Sequence, residues 1–105
     1  MDPIADLEVT GRTGRLVLRG EIDTLVIDDV RAAVDRAHEK HVTSLDVDLA
    51  QVDFMDSSGL GVIAQAAADF ERLRVVAAPI TVIRILELTG LGGFLAIGGD
   101  DTAGS

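Results

Sequence analysis

Cysteine, tryptophan and tyrosine are absent from this sequence, and phenylalanine occurs only three times. Without thiols the chain cannot form disulfides, thiolate metal sites or a cysteine nucleophile, and such a composition fits a reducing compartment. With hydrophobic residues at 48% but so few aromatics, the core should be built from Val, Leu, Ile and Ala.

Positive charge is also scarce. Nine Lys and Arg residues stand against eighteen Asp and Glu residues, which gives a formal net charge of -9. An excess of negative charge repels nucleic-acid phosphates and anionic lipids. We therefore expect neither nucleic acid nor a membrane as a direct partner.

Long apolar runs are missing as well. No stretch approaches the ~18 residues that a membrane-spanning helix needs, and the first residues lack the basic and apolar segments of a secretory signal. The protein is expected to be cytoplasmic. Its 105 residues fit one small domain with one core. We place that domain at residues 1–97, and the polar, glycine-rich residues 98–105 are predicted to form a flexible tail.

Hydrophobic patterning predicts the element order β-β-α-β-α-β-α. The predicted hairpin strands cover 7–9 and 15–19, and the later strands 43–49 and 73–78. The predicted helices run from Val26 to near Lys40, from Ser57 to about Phe70, and over 80–88, where Gly90 would form a left-handed C-terminal cap. Ile83 and Leu86 should face inward on the last helix.

The third predicted strand indicates how the layers are arranged. Leu45, Val47 and Leu49 alternate with Asp46 and Asp48, so one face of the sheet is apolar and the other carries acids. Such a strand is not covered on both faces. We therefore predict a small α/β domain with a mixed four- to five-stranded sheet and helices packed mainly on one face.

The stretch 51–63 is the most informative part of the chain, because a strand there gives way to a helix through Asp56, Ser57 and Ser58. These side chains can cap the amides of the helix N-terminus, and the hydroxyls can also face solvent at the positive end of the helix dipole. From the residues alone, the triplet is either a cap or a switch, or both.

Two glycines follow within the first turns of this helix. Gly59 and Gly61 each cost about 0.5 to 1 kcal/mol relative to Ala, so we expect them to leave bare backbone that another chain can approach. Val62 and Ala66 are predicted on the outer face beside them, as a small apolar docking surface. The core face is assigned to Leu60, Ile63, Ala64, Ala67 and Phe70.

Four motifs together resemble a known family. Residues 54–62 read Phe-Met-Asp-Ser-Ser-Gly-Leu-Gly-Val; Gly-Glu-Ile-Asp at 20–23 and Val-Asp-Leu at 47–49 precede them, and Leu-Glu-Leu-Thr-Gly-Leu at 86–91 follows. In this order they resemble the anti-sigma factor antagonist family with its STAS domain, over about residues 5 to 97.

The resemblance implies a regulator that binds an anti-sigma factor serine kinase and so releases the sigma factor. The kinase would phosphorylate Ser57, with Ser58 as the secondary position, and a serine phosphatase would reverse the modification. The partner-binding surface would comprise Glu21, Asp23, Asp56, Ser57, Ser58, Gly59, Leu60, Gly61 and Val62. The chain would be a monomer or a weak dimer, and no cofactor or metal is expected.

The electrostatics of such a switch follow from general principles. A phosphate adds about -1.5 to -2 charges and three acceptor oxygens. At a helix N-terminus it is locally favourable, so it should not melt the helix. Beside Asp53 and Asp56 it would concentrate negative charge where a partner must dock. We therefore expect inhibition by electrostatic exclusion.

Other functions have weaker support in the sequence. Asp46 and Asp48 have the spacing of a carboxylate pair that could hold Mg²⁺, but no Lys or second acidic pair completes such a site. His38 and His41 lack partners at metal-ligand spacing and are expected to be solvated. A serine hydrolase would need a base near Ser57 and is not supported, so no enzyme activity is expected.

The alternative function is a non-catalytic STAS scaffold or sensory module in a larger signalling assembly.

Overall fold

The computed structural model describes residues 2–97 and contains one mixed four-stranded sheet. The predicted element order is confirmed. The elements are β1 (Ala5–Thr10), β2 (Thr13–Ile22), α1 (Ile27–Glu39), β3 (Ser44–Met55), α2 (Ser57–Asp69), β4 (Arg72–Ala77) and α3 (Ile80–Leu88), followed by a short 3-10 turn at Gly92–Phe94. The proposed tail at 98–105 lies outside the described residues.

The first two strands form the predicted hairpin. β1 and β2 are antiparallel and paired up to Thr10 and Thr13, so Gly11 and Arg12 alone make the turn. Gly11 has φ +60, the left-handed backbone that a tight hairpin turn requires. The chain thus reverses at once and leaves β2 free to pair with β3 on its other edge.

The remaining strands are parallel, and helices make both connections between them. β2 pairs with β3 and β3 pairs with β4, with α1 and α2 as the two crossovers. Crossovers that advance in the same direction place their helices on the same face of the sheet. The core lies between that face and the helices. Its buried residues include Leu16, Leu18, Val30, Ala33, Leu45, Val47, Leu49, Ile63 and Val75.

Ion pairs between strands occupy the opposite face of the sheet. Arg15, Asp46 and Arg74 are aligned across β2, β3 and β4. Asp46 accepts two hydrogen bonds of 3.0 Å from Arg74, and Asp48 accepts one from Arg15. The acid-bearing face predicted from the alternation in β3 is therefore the open face, and its two predicted acids, Asp46 and Asp48, are paired with arginines of the neighbouring strands.

β3 is longer than predicted and continues to Met55 instead of ending at Leu49. β3 carries two extra residues relative to β2. Val17 and Arg19 are two residues apart but pair with Asp48 and Gln51, which are three apart, and a second extra residue of β3 follows Val52. Each bulge lengthens the spacing between successive inward-facing side chains from two residues to three. Leu49, Val52 and Met55 are therefore buried at intervals of three residues.

The helix ends combine confirmed predictions with one correction. α1 and α3 end in Schellman motifs, with His41 at φ 61 and Gly90 at φ 84 in the left-handed position. The cap at Gly90 is confirmed. On α3, however, the buried residues are Val82 and Leu86, whereas the predicted inward Ile83 is only half-buried. Across residues 2–97, every helix is too short or too polar to span a bilayer.

Candidate functional site

The chain passes from β3 into α2 through Asp56, which forms the N-cap of the helix. Its backbone is extended, with φ -94 and ψ -172, and its Oδ1 atom accepts hydrogen bonds from the amides of Ser58 at 2.9 Å and Gly59 at 3.3 Å. The Asp56 amide donates to the Ile22 carbonyl at 3.1 Å, which joins this turn to the end of β2. The predicted cap is confirmed, and Asp56 is the residue that provides it.

The two serines after Asp56 have different surroundings. The Ser58 side chain is half-buried, and its hydroxyl donates to Oδ1 of Asp56. Ser57 is exposed at the first residue of α2, and within residues 2–97 its hydroxyl makes no hydrogen bond. The Ser58 hydroxyl is therefore part of the cap, and the Ser57 hydroxyl is accessible from solvent.

The cap also controls the charge of Asp56. The pKa of its carboxyl is lowered, chiefly by the hydrogen bond from the Ser58 hydroxyl, although desolvation acts in the opposite direction. The backbone amides of Gly59, Ser58 and Thr24 lower the pKa further. Hydrogen bonds to a carboxylate favour its ionised form. Asp56 therefore keeps its negative charge next to Ser57.

The two glycines of α2 do not share one role, and the expectation for Gly59 was wrong. Gly59 is buried, and a Cβ atom there would lie 2.7 Å from Cγ of Met55 and 3.0 Å from Cγ2 of Ile22. Its missing side chain lets α2 pack closely on the ends of β2 and β3. Gly61 is exposed, and a Cβ atom added to it would meet nothing within 4 Å. Bare, approachable backbone is thus found at Gly61.

The outer apolar surface predicted on α2 is corrected too. Val62 is only 7% exposed and Ala66 only 3%, so both belong to the core instead of a docking surface. Leu60 and Ala67 are half-buried, and Ala64 is exposed. The inward face is therefore rotated from the predicted one, and it comprises Gly59, Val62, Ile63, Ala66 and the following Phe70.

A groove lies between α1 and α2, with Gly61 on its wall. Its volume is about 390 Å³. The other lining residues are Arg31, Val34, Asp35, His38, Val62, Gln65, Ala66 and Asp69. Both signs of charge occur in this lining, so the groove favours no single class of ligand.

The acids predicted for the partner-binding rim lie at the end of β2. Glu21 is exposed and is paired in register with Phe54 on β3. Asp23 is half-buried, and its Oδ1 atom accepts the Leu25 amide at 3.0 Å. Asp23 therefore has the loop-capping role that the residue type suggests, and the turn it stabilises borders the Asp56 cap through Thr24.

The other candidate groups have structural partners. Asp46 and Asp48 are bound by Arg74 and Arg15, and residues 2–97 contain no cluster of three His, Asp or Glu side chains suited to a metal. His38 is exposed as expected, but its ring also stacks on Phe70, with ring centroids 4.1 Å apart.

One residue near the site was missed by the sequence reasoning. Leu25 lies in the turn between β2 and α1 and is 90% exposed. It falls outside the apolar repeat of α1, whose N-cap is Val26 without a side-chain hydrogen bond. An apolar residue placed before such a repeat was the available signal.

Comparison with known proteins places the chain in a family. The model of the STAS domain matches residues 5–100. The anti-sigma-B factor antagonists of Listeria monocytogenes and Listeria innocua are each 32% identical over 89 residues, which cover 78% of this chain and 75% of each relative.

Solved structures agree with this match. The anti-sigma factor antagonist SpoIIAA in its unphosphorylated form has a TM-score of 0.80 at 27% identity, over 92% of this chain and 90% of that chain. The Bacillus cell fate determinant SpoIIAA in its phosphorylated form gives 0.73 at 26% identity, over 92% and 93% of the two chains. The chain therefore belongs to the STAS domain family, and it has the fold of the anti-sigma factor antagonists.

Proposed function

We propose that this protein is an anti-sigma factor antagonist that binds an anti-sigma factor serine kinase and is switched off by phosphorylation of Ser57. The observation that carries the proposal is the difference between the two hydroxyls. The Ser58 hydroxyl donates a hydrogen bond to Oδ1 of Asp56, whereas Ser57 is exposed at the first residue of α2. A kinase can reach Ser57 without breaking the cap. SpoIIAA, which shares the fold, occurs in both phosphorylated and unphosphorylated forms.

A phosphate on Ser57 would be compatible with the folded domain. The first residue of a helix lies beside unpaired backbone amides and the positive end of the helix dipole, both of which favour an anion. Phosphorylation should therefore leave α2 folded. The phosphate would therefore change the affinity for the partner and leave the fold unchanged.

Exclusion of the partner follows from the charge already present. Asp56 stays ionised beside Ser57, and Glu21 and Asp53 are exposed nearby on the ends of β2 and β3. Burying an unpaired dianion in an interface costs several kcal/mol. A loss of about 4 kcal/mol reduces affinity roughly a thousandfold, which is sufficient to release a nanomolar partner. A serine phosphatase would restore binding.

The acidic residues around the site suit a partner whose rim is basic and whose surface against Ser57 is uncharged. Opposite charges speed association through long-range attraction, and dissolved salt screens that attraction. We expect the association rate with the kinase to fall as salt concentration rises.

The test begins with phosphorylation. The protein is incubated with ATP and each candidate ATPase of the histidine-kinase-like type, and the phosphate is mapped by mass spectrometry. We expect phosphate on Ser57 in the wild type and in Ser58→Ala, the matched control, whereas Ser57→Ala should carry at most minor phosphate on Ser58. Absence of phosphate on Ser57 with every candidate would favour the non-catalytic scaffold.

Binding of the kinase then tests the electrostatic mechanism. Ser57→Ala should bind like the wild type, and Ser57→Asp should bind at least about tenfold more weakly because its carboxylate is buried without a partner. Equal affinities of Ser57→Asp and Ser57→Ala would refute electrostatic exclusion.

A further inference from the structure

The turn between β2 and α1 holds a large apolar side chain in solvent. Leu25 is 90% exposed, whereas Ile27 two residues later is buried in the core. A single exposed leucine is ordinary on a protein surface. What distinguishes Leu25 is the rigidity and the position of its turn.

Hydrogen bonds fix the turn in place. The Leu25 amide donates to Oδ1 of Asp23 at 3.0 Å, and the Val26 amide donates to the Asp23 carbonyl at 3.2 Å. Both ends of the turn continue into regular structure, β2 before it and α1 after it. A turn whose backbone is already ordered loses less conformational entropy when it binds, so more of the burial of Leu25 appears as affinity.

The same turn adjoins the phosphorylation site proposed above. The Ile22 carbonyl accepts the amide of Asp56 at 3.1 Å, and the Thr24 amide is close enough to contribute to the lowered pKa of the Asp56 carboxyl. Asp56 also caps the helix that begins at Ser57. Leu25 is therefore connected to the first turn of α2 through one carboxylate.

Acidic side chains flank the exposed leucine in the chain. Glu21, Asp28 and Asp29 are all exposed on the segments before and after the turn. A partner surface that matches this pattern has an apolar pocket for the leucine and Lys or Arg side chains around it. We infer that Leu25 is an anchor residue that inserts into an apolar, basic-rimmed pocket of the anti-sigma factor kinase; this inference rests on the proposed function.

The experiment compares two leucines of nearly equal exposure. Leu88, at the end of α3, is 87% exposed and makes Leu88→Ala the matched control for Leu25→Ala. The probe is the kinase that phosphorylates Ser57 in the assay above, and its dissociation constant is measured by calorimetry. Leu25→Ala should weaken binding by about tenfold to a hundredfold, the range expected for losing a buried leucine side chain. Leu88→Ala should stay within about twofold, and neither variant should change the melting temperature, since both side chains lie outside the core.

Each other outcome counts against a specific claim. If Leu25→Ala binds like the wild type while Ser57→Asp binds weakly, the anchor is refuted and the proposed function stands. Equal losses in Leu25→Ala and Leu88→Ala would also refute the anchor, because the effect would not depend on position. If no candidate kinase phosphorylates Ser57, the proposed function fails and the anchor fails with it.

Discussion

The inner and outer sides of the first turns of α2 contain the same two residue types for different reasons. Ser58 and Gly59 face inward, where the hydroxyl binds Asp56 and the missing side chain makes room for Met55. Ser57 and Gly61 face outward, where neither contacts the core. One residue along a helix corresponds to a rotation of about 100° and two residues to about 200°, so Ser57 and Ser58 have different environments, and so do Gly59 and Gly61. The inner pair contributes to the packing of the turn, and the outer pair is exposed to solvent.

The largest effect on stability should come from adding a methyl group on the inner side. In Gly59→Ala the new Cβ would lie 2.7 Å from Cγ of Met55, which is itself buried and cannot move away freely. We expect a net loss of about 1 to 2 kcal/mol in the free energy of unfolding, after the better helix propensity of Ala is included. Chemical denaturation measures it. A variant as stable as the wild type would show that the close packing at Gly59 is not required.

The same substitution on the outer side should have the opposite sign. Gly61→Ala adds a methyl group where nothing lies within 4 Å, so only helix propensity and unfolded-state entropy change. We expect a gain of about 0.5 to 1 kcal/mol in the free energy of unfolding. The pair of denaturation curves, one shifted down and one shifted up, is a direct test of the two environments, and a loss of stability in Gly61→Ala would contradict the open surface described for Gly61.

The smallest expected effect comes from removing either serine hydroxyl, and it is measured best as a change in the pKa of the Asp56 carboxyl. Ser58→Ala removes the main cause of the lowered Asp56 pKa, so that pKa should rise toward the usual ~3.9, whereas Ser57→Ala should leave it unchanged. A carboxyl whose folded pKa is lowered stabilises the protein above its unfolded pKa, and this contribution is lost as pH falls through the folded pKa. In Ser58→Ala the contribution of Asp56 should therefore be smaller, and its loss in acid should be complete at a higher pH, while the pH at which the loss begins is set by the unfolded chain and stays the same.

Carbon NMR of the Asp56 carboxyl across an acid titration measures this pKa directly. Equal titration curves for the wild type and Ser58→Ala would show that the Ser58 hydroxyl does not lower the pKa of Asp56. A shift in Ser57→Ala equal to that in Ser58→Ala would remove the distinction between the two serines.

Local patterns were sufficient for much of the fold. α1 has acids and bases on one side and Val30, Ala33 and Ala37 on the other, so its period and its inward face could both be read from the sequence. The hairpin at Gly11 and the cap at Gly90 could be read because few residues adopt a left-handed backbone easily. Asp56 could be recognised as a candidate cap because its side chain acts within three residues of itself.

The sequence by itself thus determined the order of the elements, the hairpin, the cap of α2 and the acidic character of the chain, because each depends on neighbours in sequence or on composition alone. Tertiary structure decided which way α2 faces, since Ala, Gly, Val and Leu occur on all sides of that helix and leave its orientation to the packing against β2 and β3. It also decided the two bulges of β3, because an extra residue is defined only relative to the paired strand. The separate roles of Gly59 and Gly61 followed from that packing.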